Sequence, residues 1–189
     1  MSFLRQVNAW LFDSVGTPIL LDKSGNVKIV GELQNAVHDG LAFSFTQHGT
    51  FAATSSLILI GVTGARQVHF DGFLCDISQG NFLLELWESP TVTTLGTNLT
   101  PRNRNRASSN TSQMLIYAGG TVSANGFLLH DDLLLAIGQG ANVVGGTAGV
   151  DDGFVFKANT TYMIKMTNNA ASTTSYNAKF TWHEDIYVV

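Results

Sequence analysis

From residue 41 to residue 183 apolar and polar side chains alternate with a period of two, in runs separated by glycine, asparagine, serine and threonine. An extended backbone sends successive side chains to opposite faces, so each run offers one apolar face that must be buried against a second layer. Phe82, Leu84 and Leu86 lie opposite Leu83, Glu85 and Trp87, and Tyr162, Ile164 and Met166 lie opposite Lys165 and Thr167. Tyr176, Ala178, Phe180 and Trp182 likewise oppose Asn177, Lys179, Thr181 and His183. Val68, Phe70, Gly72 and Leu74 are expected on one face opposite Gln67, His69 and Asp71, and Phe51 to Val62 reads as one apolar, β-branched run. Strands at this spacing, with small polar turns between them, predict an all-β chain: an antiparallel β-sandwich or barrel.

Two regions depart from the alternation. Asp131 to Ile137 is a helix candidate that Gly138 and Gly140 stop within two turns, and a short strand fits it equally well. Near the N-terminus, Phe3, Val7, Trp10 and Leu11 have helical spacing while Val7, Ala9 and Leu11 alternate, so helix and strand both stay open there. Residues 18–21 and 27–30 flank the turn residues Asp22-Lys23-Ser24-Gly25-Asn26 and predict a hairpin. The expected division is an N-terminal arm or anchor with a hairpin over 1–35 and a sandwich domain over 36–189. Asn142–Gly153 and Asn168–Ser175 read as flexible loops.

The chain has 189 residues, of which only 13% are charged and 44% are hydrophobic, and its mean hydropathy is +0.14. That is enough apolar material for a core and too little charge for disorder. A net charge of −4 supplies no field that would draw the chain to nucleic acid. The longest apolar run, Leu57 to Val62, is interrupted by Gly61 and falls far short of the ~20 residues that cross a bilayer. Arg5 and Gln6 stand where a secretory signal would place its apolar segment, so synthesis in the cytosol is expected. Cys75 is the single cysteine, which excludes an intrachain disulfide and a cysteine-based zinc site.

Motifs that would carry chemistry are weak. Gly138-Gln139-Gly140 opens like a dinucleotide fingerprint, but Val143 stands where the third glycine belongs, and no βαβ pattern surrounds it. The five histidines show no ligand spacing, and the pairs Asp131-Asp132 and Asp151-Asp152 lack the alternating oxygen ligands of a calcium loop. The sequons at Asn98, Asn110 and Asn159 are about as many as chance places in a chain so rich in Asn, Ser and Thr. No catalytic residue, cofactor or metal is expected. An enzyme is not the expectation, although a Ser/His/Asp meeting between distant strands is something spacing neither shows nor excludes.

One segment stands out. Arg102-Asn103-Arg104-Asn105-Arg106 puts three of the chain's ten Lys and Arg residues within five positions, and in an extended strand all three guanidiniums share a face. They would stand about 7 Å apart, inside the Debye length of ~8 Å at physiological salt. They therefore repel one another unless carboxylates lie over them, and their forked donors suit carboxylates of a partner chain. The plain alternative is a solvated edge strand kept from aggregating by charge.

Leu84-Glu85-Leu86-Trp87-Glu88-Ser89-Pro90-Thr91-Val92-Thr93, with Gly96 and Arg102 to Arg106 after it, then Asn110-Thr111-Ser112 and later Phe156 to Asn168, resembles small β-rich virion proteins of tailed bacteriophages, described as head decoration or cement proteins. The resemblance covers about residues 36–185. It implies a jelly-roll-like sandwich that binds the outside of the head as a homo-oligomer and stabilises it, with the major capsid protein and further copies of itself as partners. It brings no catalytic residues. A trimer is expected over a dimer, because sandwich edges and a low charge content call for cover. Arg102, Arg104 and Arg106, with the apolar Phe3, Leu4, Trp10 and Phe12 of the arm, are the expected partner-binding residues. Neither nucleic acid nor membrane is an expected partner. The alternative is a receptor- or glycan-binding tip of a tail fibre, for which a shallow pocket at Trp87, Trp182 or His69 would speak.

Overall fold

A computed structural model describes residues 32–136, 146–150 and 153–188. The chain divides into two units, Met1–Asn35 and Ala36–Val189, and the sandwich belongs to the second. Phe3, Leu4, Trp10, Phe12 and the hairpin expected at 18–30 lie outside the described residues.

A short helix, α1 (Glu32–Asp39), leads into the long strands β1 (Ala42–Phe51), β2 (Ser56–Val62), β3 (Arg66–Ile77) and β4 (Gly80–Glu88). Five short strands follow: β5 (Thr91–Thr94), β6 (Thr97–Leu99), β7 (Arg102–Asn103), β8 (Leu115–Ala118) and β9 (Thr121–Ala124). Then come β10 (Phe127–Ala136), β11 (Gly146–Val150), β12 (Phe154–Phe156), β13 (Thr161–Asn168) and β14 (Thr174–Val188). One sheet runs β11-β3-β14-β1-β7, with β12 also paired to β3; the other runs β10-β4-β13-β2-β8-β6, and every pairing is antiparallel. β5 and β9 form a separate ribbon. The expected antiparallel β-sandwich is what the chain forms.

The core follows from the alternation. Phe82, Leu84 and Leu86 of β4 and Tyr176, Ala178, Phe180 and Trp182 of β14 all face inward and are buried. Aromatic rings join the sheets: Phe156 stacks across the sandwich on Tyr162 at 3.9 Å between ring centroids, and within its own sheet it stacks on Phe70 at 5.1 Å. Cys75 is fully buried in this core, and the loss of solvation pushes its thiol pKa up to about 12. A water-soluble thiol reagent is expected to leave Cys75 unmodified in the native protein and to label it only as the chain unfolds. Rapid stoichiometric labelling without denaturant would contradict this placement.

Three expectations about the strands are corrected. β3 does not keep one face: Val68 and Phe70 point inward, and so do Phe73, Cys75 and Ile77, while Leu74 is exposed. The inward phase slips by one residue at a β-bulge, where the pairing with β14 jumps from Gly72↔Thr181 to Phe70↔Trp182 and leaves Asp71 as the extra residue. Phe51–Val62 is not one run either. β1 ends at Phe51, and a turn through Thr54, a non-glycine residue at φ 54°, reverses the chain into β2. Finally, residues 146–150 of the expected 142–153 loop are a strand, β11, paired in register with β3 from Ile77 to Phe73. The second expected loop is shorter and tied down. Buried Asn168 donates to the carbonyls of Ala52 and Ser172 and accepts from the Ala170 amide, at 2.9–3.0 Å. Of the two options left open at 131–137, residues 131–136 are strand, the second half of β10.

β4 and β10 are direct neighbours, with Phe127 opposite Glu88. Everything from 89 to 126 is therefore an excursion that leaves the sheet and returns to the place it left. Gly126 makes the return possible. Its φ is +89°, and a Cβ there would collide with the carbonyl of Glu88, so the turn needs a residue without a side chain.

Candidate functional site

The excursion carries the arginine segment to the edge of the first sheet. β7 contributes only Arg102 and Asn103, paired with Ser44 and Phe43 of β1, but the Arg104 amide continues the ladder by donating to Ala42 at 2.9 Å. Alternation persists past the strand. Arg102, Arg104 and Arg106 are exposed, whereas Asn103 and Asn105 are half-buried.

The asparagines explain why the backbone holds this shape without regular pairing. Asn103 donates to the carbonyls of Gly40 and Asn110, each at 2.9 Å, and its side-chain oxygen accepts the Asn105 amide at 2.9 Å. Asn105 donates to the His38 carbonyl at the end of α1 and accepts the Ala107 amide. Asn110 adds a bond to the Asp39 carbonyl at 3.2 Å. An Asn oxygen that accepts an amide two residues along closes a small local turn. Two of these in series take up the backbone donors and fix the direction of every second side chain.

The result is a basic face on a backbone that its own side chains hold in place. The three guanidiniums, with Ser44 and Asn103, line an open depression of about 480 Å³. Among the described residues none of the three arginines makes an ion pair; Arg106 has a long 3.5 Å contact to the Asn103 carbonyl. The basic charge of the depression is thus open to solvent, and planar forked donors of this kind suit carboxylates.

A second polar cluster was not legible in the sequence. His69 and His183 are direct partners in the β3–β14 ladder, and their rings stack with centroids 4.5 Å apart. His183 Nδ1 lies 2.7 Å from Asp71, the bulged residue, and His69 Nε2 lies 3.0 Å from Asp185. One-residue slippage re-aims a side chain, and here it brings a carboxylate from β3 to a histidine on β14. Neither the arginine depression nor the internal cavity at Trp182 includes these residues. Among the described residues no group of three or more His, Cys, Asp or Glu is placed to hold a metal ion. No described helix is long and apolar enough to cross a membrane.

The pocket that the glycan-binding alternative looked to is not built from Trp182. That ring is 0% exposed and borders an internal cavity of about 20 Å³, far too small for a sugar. His69 is engaged with His183 and Asp185, and Trp87 is half-buried on the opposite sheet. Glu88, at the start of the excursion, accepts from Lys157 at 2.7 Å and from the Tyr162 hydroxyl at 3.0 Å. The Lys157 hydrogen bond holds the Glu88 carboxyl below its usual range. Burial pushes the Tyr162 hydroxyl up to about 12.

No family model matches this chain, and no curated protein matches it.

Proposed function

We propose that this chain is a non-enzymatic structural module of a bacteriophage virion, a decoration or cement protein on the outside of the head, and that the Arg102–Arg106 face is a protein contact surface. One observation carries the contact: three exposed guanidiniums, unpaired among the described residues, stand on a loop that its own asparagines immobilise. Ordering a loop in advance removes an entropic cost that binding would otherwise have to meet. A merely solubilising edge needs charge but has no use for such bracing.

The strand orders support the jelly-roll reading. With β11 and β12 taken as one strand, the sheets read β1-β14-β3-β11 and β2-β13-β4-β10, so successive strands alternate between sheets except at the β4–β10 step. That is the arrangement of two Greek keys rolled together. The resemblance of the 84–106 and 156–168 segments to head decoration proteins supplies the location and the partner, the major capsid protein.

Replacing Arg102, Arg104 and Arg106 together by Gln is expected to weaken assembly or attachment to heads, with binding that falls steeply as salt is added. The circular dichroism of the subunit should not change, because the side chains are exposed. Unchanged binding and oligomeric state in this variant would leave the face as a solvated edge.

A further inference from the structure

We infer that the arginine face of one copy receives the β10 edge of a second copy, in a head-to-tail contact. The inference rests on reading the arginine face as a protein contact, and it names the partner. β7 ends the first sheet, and among the described residues β10 ends the second. β10 packs beside β11, the opposite end of the sheet that β7 closes, so the two edges lie on opposite flanks of the sandwich. One flank carries Arg102, Arg104 and Arg106. The other carries the exposed Asp131 at the middle of β10, with the half-buried Asp132 next to it. A single copy cannot bring its own flanks together, whereas two copies side by side place arginines against carboxylates.

The β10 edge also bears apolar surface that needs cover. Phe127 is 70% exposed and Leu133 is 55% exposed. Arginine suits this mixture, since its methylene stem packs on apolar groups while its head reaches a carboxylate. A symmetric alternative is disfavoured by the sequence of the strand. Two β10 strands paired antiparallel about a two-fold axis at their middle would set Asp131 of one copy directly against Asp131 of the other, or Asp132 against Asp132, and like charges directly opposite are destabilising. A contact between two different surfaces repeats from copy to copy, so it closes into a ring when the rotation permits.

The test uses the full chain in sedimentation equilibrium at micromolar concentrations, with binding to heads measured in parallel. Exchanging Arg102, Arg104 and Arg106 for Glu is expected to weaken self-association at least about tenfold, and Asp131→Lys with Asp132→Lys to do the same. Combining all five changes in one chain is expected to restore association. If the aspartate variant does not fold, Phe127→Ser with Leu133→Ser, both exposed, takes its place and is expected to weaken association by a similar factor. Loss of association from the arginine changes, together with no effect of either β10 variant, would overturn the head-to-tail contact. Self-association untouched by the arginine changes, with head binding lost, would also overturn it while leaving the face as a contact for another chain. If the arginine changes alter neither measurement, both readings fall.

Discussion

Replacing Glu184 with Ala is expected to destabilise the sandwich by about 3 to 5 kcal/mol, as removal of one member of a buried, hydrogen-bonded charge cluster does. Glu184 sits on β14 and is 1% exposed. Its Oε1 accepts the Ser112 hydroxyl at 2.6 Å, the Gln113 amide at 2.8 Å and the Met114 amide at 3.2 Å, and Oε2 lies 3.9 Å from Arg66. One carboxylate thus fastens the returning half of the excursion to the sheet that carries the arginine face. Alanine would leave the Gln113 amide in a water-poor site without an acceptor, at about 1 to 3 kcal/mol, and leave the Met114 amide only the Ser112 hydroxyl oxygen at 3.0 Å. Glu184→Gln keeps an acceptor oxygen and gives up the charge. Since charge-assisted hydrogen bonds are roughly twice as strong as neutral ones, it should recover roughly half of the loss. Urea unfolding followed by circular dichroism measures both, and an alanine variant within about 1 kcal/mol of the parent would mean that these donors find other acceptors.

Trp182, two residues earlier on the same strand, is expected to behave in the opposite way to its neighbour. The ring is fully buried against Phe43, so Trp182→Ala should cost about 3 to 5 kcal/mol through lost burial and the cavity left behind. Yet the indole N–H has no hydrogen-bond acceptor among the described residues, and the adjoining cavity is lined by apolar groups such as Leu59, Phe70 and Ile116. A buried donor without an acceptor costs about 1 to 3 kcal/mol. Trp182→Phe removes that penalty and adds a cavity term of about 1 kcal/mol, so its stability should stay within about 1 kcal/mol of the parent. A phenylalanine variant as damaged as the alanine one would show that the N–H is satisfied in the native protein. Together the two positions separate what polarity and bulk contribute on one strand.

The parts of this molecule that were legible in the sequence are those set by local pattern. The inward faces of β4, β13 and β14 follow from a period of two, and so does the outward projection of Arg102, Arg104 and Arg106. The helix α1 escaped notice, although Leu33, Ala36 and Val37 carry the i, i+3, i+4 spacing within its eight residues. β11 was hidden because Gly-Thr-Ala-Gly-Val offers small side chains with no contrast between faces. The bulge at Asp71 left a trace, since Phe70 and Phe73 are both large and apolar at an odd spacing, but such a trace has meaning only once the partner strand is known. The stacked histidines and the Glu184 cluster were beyond reach for the same reason. Their members meet through a strand ladder or through hydrogen bonds that join residues seventy or more positions apart, and nothing in the local chemistry of either side announces the other.

Because β4 and β10 already adjoin, the order of the other strands does not depend on residues 89–126; that segment adds β6, β7 and β8 at the ends of the two sheets and roofs one flank through Met114 and Ile116. That division separates two kinds of inheritance within one segment. Positions whose side chains enter the core are bound to the history of the fold, while the outward-facing positions of 102–106 can drift, gain charge or lose it without passing through an unfolded ancestor. Substitutions at those outward positions can therefore change the charge of this flank on a scaffold that stays the same.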